Sequence, residues 1–402
     1  MSAAVITSAE EAVTVAAELA AKFRVGASER EQVRQLPGAE IEAVSAAGLY
    51  AITVPAQWGG ADVAPSVVTE VLRLLAYADP NIAQIPQSHF VYVQLLKLAA
   101  SQRQQRLFFG ELLAGKRLAN AQSERGSRTV ADISTSFTPD GKGGYRLDGT
   151  KYYCTGTLFA QWIPVHARLH DPDRTSGLAG GDYVLYVPAD SPGLHVADDW
   201  NALGQRLTGS GTVTLEDVAV HPDWVVPRAP AFDGPTSYGA YAQLLHAAID
   251  VGIARAALDE AVEFAQTKSR PWFEANVERA IDDPLLVQRF GDLAVAVVSA
   301  EATLALAARA VDAAFAAPSE RAASDASLAV AVAKVVAERS AVDVSAALFE
   351  VGGTRSAAAE LNLDRHWRNA RTHTLHDPVR WKFQHIGRAV LHGEAPPRHG
   401  LI

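Results

Sequence analysis

The sequence predicts an α+β chain of three successive parts: a helical N-terminal part, a central β part and a C-terminal helical bundle. Apolar residues recur at helical spacing up to about residue 116 and switch to an alternating β-branched and aromatic pattern from about 118 to 228. Beyond about residue 235 the chain returns to long Ala-rich helical stretches. No G-x-G-x-x-G follows any strand, so a doubly wound dinucleotide-binding sheet is not supported. Domains are accordingly placed at 1–116, 117–230 and 231–402.

The stretch leading to Phe23 is apolar, yet it carries Glu10, Glu11 and Glu18 and reads as an amphipathic surface helix, not a signal peptide. Val67, Val68, Val71, Leu72, Leu74 and Leu75 mark a second helix, and Leu95, Leu96 and Leu98 a third. Asp79-Pro80 places a turn between them, because a residue before proline is pushed out of the helical region. In the β part, strands are expected around Phe137, Tyr145-Arg146-Leu147, Tyr183 to Val187 and Gly211 to Leu215. Pro139-Asp140-Gly141-Lys142-Gly143-Gly144 supplies the positive-φ residues of a hairpin turn. Pro188, Pro192, Pro222 and Pro227 punctuate strand ends. Bundle helices are expected at 241–268, 285–316, 324–348, 363–371 and 378–392, with corners at Pro318-Ser319 and Gly352-Gly353.

Composition removes several classes of function. The 402 residues hold 36 Lys+Arg against 45 Asp+Glu, a net charge of -9, so no basic excess is present to neutralise a nucleic-acid backbone. Cys154 stands alone, which excludes an internal disulfide and fits a reducing cytoplasm; with no Cys-x-x-Cys partner it reads as a buried thiol without a role. No uncharged apolar stretch reaches the roughly 18–20 residues of a membrane span.

Polar chemistry concentrates between His366 and Pro378, where Trp367 and Leu375 thread the charged residues in the manner of a cleft lining. His373 and His376, three apart, would share one helix face and suit a metal, but Arg365, Arg368 and Arg371 oppose a dication and favour a phosphate-bearing cofactor. No metal is expected. Arg270, in Ser269-Arg270-Pro271-Trp272, and Arg355, after Gly352-Gly353, are further anion candidates. His89 lies in an apolar helical run, where a satisfied core histidine is the default and a pocket donor the sharper alternative.

With the order of its parts, these motifs make the chain resemble the acyl-CoA dehydrogenase superfamily over essentially its whole length. The likeness is to the flavin-dependent monooxygenase branch, the dibenzothiophene monooxygenase-like and sulfur-acquisition oxidoreductase group. It is carried by Asn120-Ala121-Gln122-Ser123-Glu124-Arg125-Gly126, Lys151 to Gly156, Asp199 to Arg206, Ser269 to Trp272 and above all His366 to Pro378. The resemblance implies an N-terminal helical domain, a central β-barrel-like domain and a C-terminal four-helix bundle. It further implies reduced FMN delivered by a separate NAD(P)H:flavin reductase, O₂ activated as a flavin C4a-hydroperoxide, a small organosulfur substrate and a cytoplasmic homotetramer.

Residue by residue, the resemblance makes Asn120 and Thr155 hydrogen-bond donors at the flavin's reactive edge, with His376 managing the peroxide proton. His89 and His376 would line the substrate pocket. Arg270 and Arg355 would hold the flavin phosphate, Trp200 would wall the ring, and Ser123 and Ser356 would join the cofactor contacts. Dehydrogenases of the superfamily use a glutamate to remove an α-proton; the two places where it occurs match Asp377 and Ala242 here. Two alternatives within the fold are an FAD-dependent acyl-CoA dehydrogenase using Asp377 and an N-hydroxylating flavin monooxygenase. A third, from another class, is a non-catalytic scaffold that has kept only the fold.

Overall fold

Local chemistry sets each helix of the first part. The computed structural model describes residues 3–126, 128, 129 and 131–402. Helix α1 (Ala9–Arg24) begins at Ser8, whose side chain accepts the Glu11 N–H, and buries Ala12, Ala16, Leu19, Ala20 and Phe23. Short α2 (Ala27–Gln32) and α3 (Gly38–Ala46) follow. At Asp79-Pro80 one dipeptide ends α4 (Pro65–Ala78) and starts α5 (Pro80–Ala99): Asp79 turns extended, its carboxylate accepts the Asn81 N–H, and Pro80 fills the first helical position. Helix α5 is buried on nearly all sides, and α6 (Gln102–Leu113) starts in a capping box between Ser101 and Gln104.

The middle part is one seven-stranded mixed sheet, ordered β5-β6-β2-β1-β3-β4-β7. Its strands are β1 (Ser136–Pro139), β2 (Tyr145–Cys154), β3 (Trp162–Leu169), β4 (Asp182–Pro188), β5 (Leu194–Val196), β6 (Gly211–Val220) and β7 (Val225–Pro227). The expected hairpin joins β1 to β2, with Pro139 opposite Tyr145 and the Asp140 carboxylate accepting the Lys142 and Gly144 N–H groups. Among the strand pairs of the described residues β1–β3 runs parallel and the others antiparallel, and Leu118 and Ala121 add isolated parallel bridges to β3. Strand β3, central and absent from the sequence reading, has its first six residues all buried, so it lacks the alternation that betrays a half-exposed strand. β5 and β7, three residues each, are too short to show a period and form the sheet's edges.

In the last part, α7 (Tyr238–Thr267), α8 (Pro284–Ala316) and α9 (Glu320–Gly352) form the bundle, joined by α10 (Asp364–His373) and α11 (Arg380–His392). Helix α8 is long and apolar enough to cross a membrane, but Leu293, Val297, Ala300, Leu304, Ala307 and Val311 face the bundle core. Its other side exposes Val295, Val298 and Leu306. Helix α10 stops at His373, so His376 sits in the following turn and the two histidines do not share one helix face.

One buried carboxylate ties the three parts together. Glu31 of α2 accepts from both Nη atoms of Arg368 on α10, from Asn362 Nδ2 at 3.0 Å, and lies 3.4 Å from Arg206 of the middle part. Burial raises the pKa of Glu31, but Arg368, Asn362 and Arg206 outweigh it and leave it lowered. Its contribution to stability is therefore full above the unfolded carboxylate value and is lost as pH falls through the folded one. Glu31→Gln is expected to cost about 3 kcal/mol at neutral pH in urea titrations, the lower end for breaking a buried ion pair, with the difference shrinking below about pH 4. An equally stable variant at neutral pH, or a pH-independent difference, contradicts the clamp.

Candidate functional site

Where the middle part meets the bundle, a run of hydroxyls is wired end to end. Thr155 Oγ1 lies 2.8 Å from Ser210 Oγ, which lies 2.7 Å from Thr208 Oγ1. Thr208 donates to the Gln205 carbonyl at 3.0 Å, and Trp200 Nε1 donates to the same oxygen at 2.7 Å. Asn120 joins through its backbone N–H to the Thr155 carbonyl at 3.1 Å, while its Oδ1 accepts from the Tyr92 hydroxyl at 2.9 Å. That leaves the Asn120 amide NH₂ as an uncommitted donor among the described residues. The backbone around this run is held under strain: Tyr153 and Gln205 are non-glycine residues at φ 59° and 51°.

A second run consists of imidazoles. Buried Asp250 of α7 accepts from His373 Nδ1 at 2.5 Å, His373 Nε2 lies 3.1 Å from His246 Nδ1, and the His246 ring lies against His376, tilted by 38° with centroids 3.9 Å apart. Burial foremost, then the neighbouring cations, lowers the pKa of His246 well below its ordinary value. The side chain of His376 is 38% exposed and stands open to solvent.

Three elements bridge the two runs. Gly156, at φ 81°, lies against Ile85 of α5; Gln87 of α5 donates to the Ala242 carbonyl of α7; His246 is one turn beyond Ala242. From the other side, Asn369 Oδ1 of α10 accepts the Gln205 N–H at 2.7 Å, and His373 follows one turn later. Gly204 makes this docking sterically feasible, since a Cβ there would collide with the Arg368 carbonyl.

The structure thus brings together Asn120, Thr155 and Trp200, and sets His376 beside His246. Other expected residues lie elsewhere. His89 is fully buried, with Nε2 2.7 Å from the Tyr50 carbonyl and Nδ1 accepting the Leu118 N–H, so it presents no free nitrogen to a pocket; burial pushes it down to about 3. Ser123 pairs by its backbone with Tyr152. Arg355 donates to the Lys268 carbonyl, two residues from exposed Arg270, at the far corner of α7 and α9. Buried Ser356 spends its hydroxyl on the Gly353 carbonyl, closing that corner instead of opening it to a ligand. Cys154 is buried, its thiol pushed up to about 12 by burial. Among the described residues no group of His, Cys, Asp and Glu is arranged to hold a metal.

Comparison with known proteins identifies the family of this three-part fold. Family models described as the acyl-CoA dehydrogenase N-terminal, middle and C-terminal domains match residues 8–116, 119–218 and 244–381. The chain belongs to the acyl-CoA dehydrogenase family. It is 32% identical to dibenzothiophene monooxygenase of Rhodococcus qingshengii over 96% of this chain and 94% of that protein. It is also 32% identical to the protein named "Probable FMNH2-dependent monooxygenase SfnC" of Pseudomonas putida, over 98% of both. Among solved structures, FMN-bound TdsC from Paenibacillus sp. A11-2 superposes with a TM-score of 0.91 at 32% identity, covering 97% of this chain and 100% of that one. With relatives of this kind over nearly its full length, this member of the family is a flavin-dependent oxidoreductase of the monooxygenase branch.

Sequence reading missed His246, Asp250, Ser210 and Gln205. The His246–Asp250 spacing of one helical turn is visible in the sequence, but in a helix buried on nearly all faces it carries no amphipathic signal. The placement of His89 has a measurable consequence. A histidine kept neutral by the fold stabilises it at neutral pH and loses that contribution as pH falls below the unfolded value of about 6.5. His89→Gln, which keeps a donor and an acceptor but does not titrate, is expected to show a shallower acid loss of stability, by about 1 kcal/mol per pH unit between pH 6 and 4. Parallel profiles would place the imidazole in contact with solvent.

Proposed function

We propose that this chain is a monooxygenase that uses reduced FMN, supplied by a separate NAD(P)H:flavin reductase, and O₂ to oxygenate a small organosulfur compound in sulfur acquisition. The observation that carries the reading is the state of Asp377. Its carboxylate is buried, 3.0 Å from Lys382 and 3.4 Å from His376 Nδ1. Burial raises its pKa, but His376, Lys334 and Lys382 outweigh burial and hold it well below the ordinary carboxylate range. A carboxylate so committed is no base for abstracting a carbon-bound proton, and the other place where the family carries one is Ala242. What stands open instead is the His376 imidazole.

The residues fit a flavin. Both polar ends of the buried Gln205 side chain lack a partner among the described residues, an unspent donor and acceptor on the segment that carries Trp200 and Ser210. Asn120, Thr155, Trp200 and Gln205 would hold the ring. When bound, reduced FMN supplies the electrons with which dioxygen is activated. The amide of Asn120 and the hydroxyl of Thr155 donate, His376 holds or passes a proton, and α5 and α7 exclude water from the space between. Arg270 and Arg355 would serve the flavin phosphate of a neighbouring copy in a cytoplasmic homotetramer. Apolar side chains left exposed on α8 and on α11, Val390 and Leu391 among them, support such an assembly.

Purified protein given reduced FMN, O₂ and a panel of sulfides, sulfones and thiophenes is expected to form oxygenated product. His376→Ala should divert reducing equivalents to hydrogen peroxide, and Thr155→Val should slow oxygenation about 10²-fold while Thr155→Ser retains it. Oxygenation of amines in place of sulfur would move the assignment to N-hydroxylation. Bleaching of bound FAD by an acyl-CoA, without oxygen uptake, would overturn it.

A further inference from the structure

Beside His376 lies a chain of groups that the assignment above does not use. Asp250 is fully buried, its Oδ2 lies 3.3 Å from Lys334 Nζ, and its Oδ1 lies 2.5 Å from His373 Nδ1. Despite burial, which raises its pKa, His373 and Lys334 leave Asp250 lowered, so it is a carboxylate that accepts only. His373 Nδ1 must therefore carry a hydrogen. In a neutral ring its Nε2 is then an acceptor, and the 3.1 Å contact to His246 requires the hydrogen to sit on His246 Nδ1. The orientation propagates from Asp250 outward. It leaves His246 Nε2 with a bare lone pair and no protein partner among the described residues.

We propose that His246 is a proton acceptor of the site, and that His373 and Asp250 are positioning residues that hold its tautomer and relay the accepted proton inward. The inference rests on the monooxygenase reading for the source of the proton: when the O–O bond breaks and its outer oxygen reaches sulfur as OH, the product is a protonated sulfoxide that must shed one proton, and the oxygen left behind must gain one. The substrate O–H bond breaks as His246 Nε2–H forms. Next, His246 Nδ1–H breaks as His373 Nε2–H forms, and the positive charge comes to rest on His373 against the Asp250 carboxylate. No electrons are exchanged among the residues, and the reverse path returns the proton to the oxygen left behind by O–O cleavage. Around the chain, Lys334 of α9 opposes the added charge, while Glu338 of α9 and Asp377, beyond α10, favour it; Lys382 of α11 is neutralised by Asp377. The His246 and His376 rings lie against each other, centroids 3.9 Å apart and planes tilted by 38°, so the two imidazoles act at one place.

The test uses the full chain labelled with ¹⁵N-histidine, without flavin, and then the same protein in turnover. Near pH 7, His246, assigned by its loss in His246→Gln, is expected to be protonated at Nδ1 and bare at Nε2. His373→Leu should release it into a mixture of tautomers, whereas His373→Gln, whose carbonyl accepts the same bond, should preserve it. In turnover with reduced FMN, O₂ and an accepted organosulfur compound, both His373 variants should lose kcat by about 10²-fold with KM within about twofold, because glutamine holds the tautomer but passes no proton. Wild-type His246 protonated at Nε2, or a His373→Gln variant with full kcat, overturns the relay. The NMR result needs neither flavin nor substrate, so a chain that oxygenates nothing would refute the monooxygenase reading separately, with the tautomer still deciding this one.

Discussion

The bundle buries two lysines, and the chemistry open to the site follows from how they are neutralised. Lys334 and Lys382 are fully buried, where an uncompensated ammonium would carry a desolvation cost of several kcal/mol even after relaxation. Asp250 and Asp377 answer them at 3.3 and 3.0 Å. Glu338 lies 3.0 Å from Lys334 but off hydrogen-bonding geometry, and burial pushes its pKa up to about 7. Two cations thus face two committed anions and a third acid free to stay neutral. Asp250 and Asp377, the carboxylates nearest the imidazoles, are thereby spent on the lysines and on His373 and His376.

Positioning depends on α10. Its first turns bind Glu31 and, through Asn369, the Gln205 backbone, so the segment carrying Trp200, Thr208 and Ser210 is registered against the bundle. His373 then closes the same helix on Asp250. Ten residues therefore fix the hydroxyl run and the imidazole run relative to each other. Much of the densest polar cluster in the sequence is thus structural: Arg365, His366 and Arg368 hold neighbouring elements through Glu260 and Glu31.

The three-part organisation was legible because each part has its own period, and the long helices, the Asp79-Pro80 boundary and the β1–β2 hairpin followed from local chemistry. Strand β3 was not, because a strand buried on both faces shows no alternation. At the site, Asn120, Thr155 and Trp200 came from motif resemblance, and the structure joins them through Ser210 and Thr208, which no local pattern singles out, and through Gln205, which lies in a resembling motif but was given no role. His89 shows the opposite failure: its sequence surroundings are equally compatible with a pocket and a core, and only the Tyr50 carbonyl and the Leu118 N–H, both distant in the chain, decide. Arg270 and Arg355, expected at the flavin phosphate, fall at a corner that no hydrogen bond connects to Thr155 among the described residues.

A dehydrogenase needs one free carboxylate with its pKa lifted towards neutrality; an oxygenase needs donors and a place for a proton that does not drain the site to solvent. The same scaffold meets the second requirement once its carboxylates are consumed. With Ala242 at one family position and Asp377 locked to Lys382 at the other, a base strong enough to take a carbon-bound proton is missing from both. Burial foremost lowers the pKa of His246 and of His373, and Lys334 adds to it in both. Committed carboxylates and imidazoles disfavoured from charging by burial thus occupy one core, which suits a fold that elsewhere removes hydrogen to the handling of oxygen.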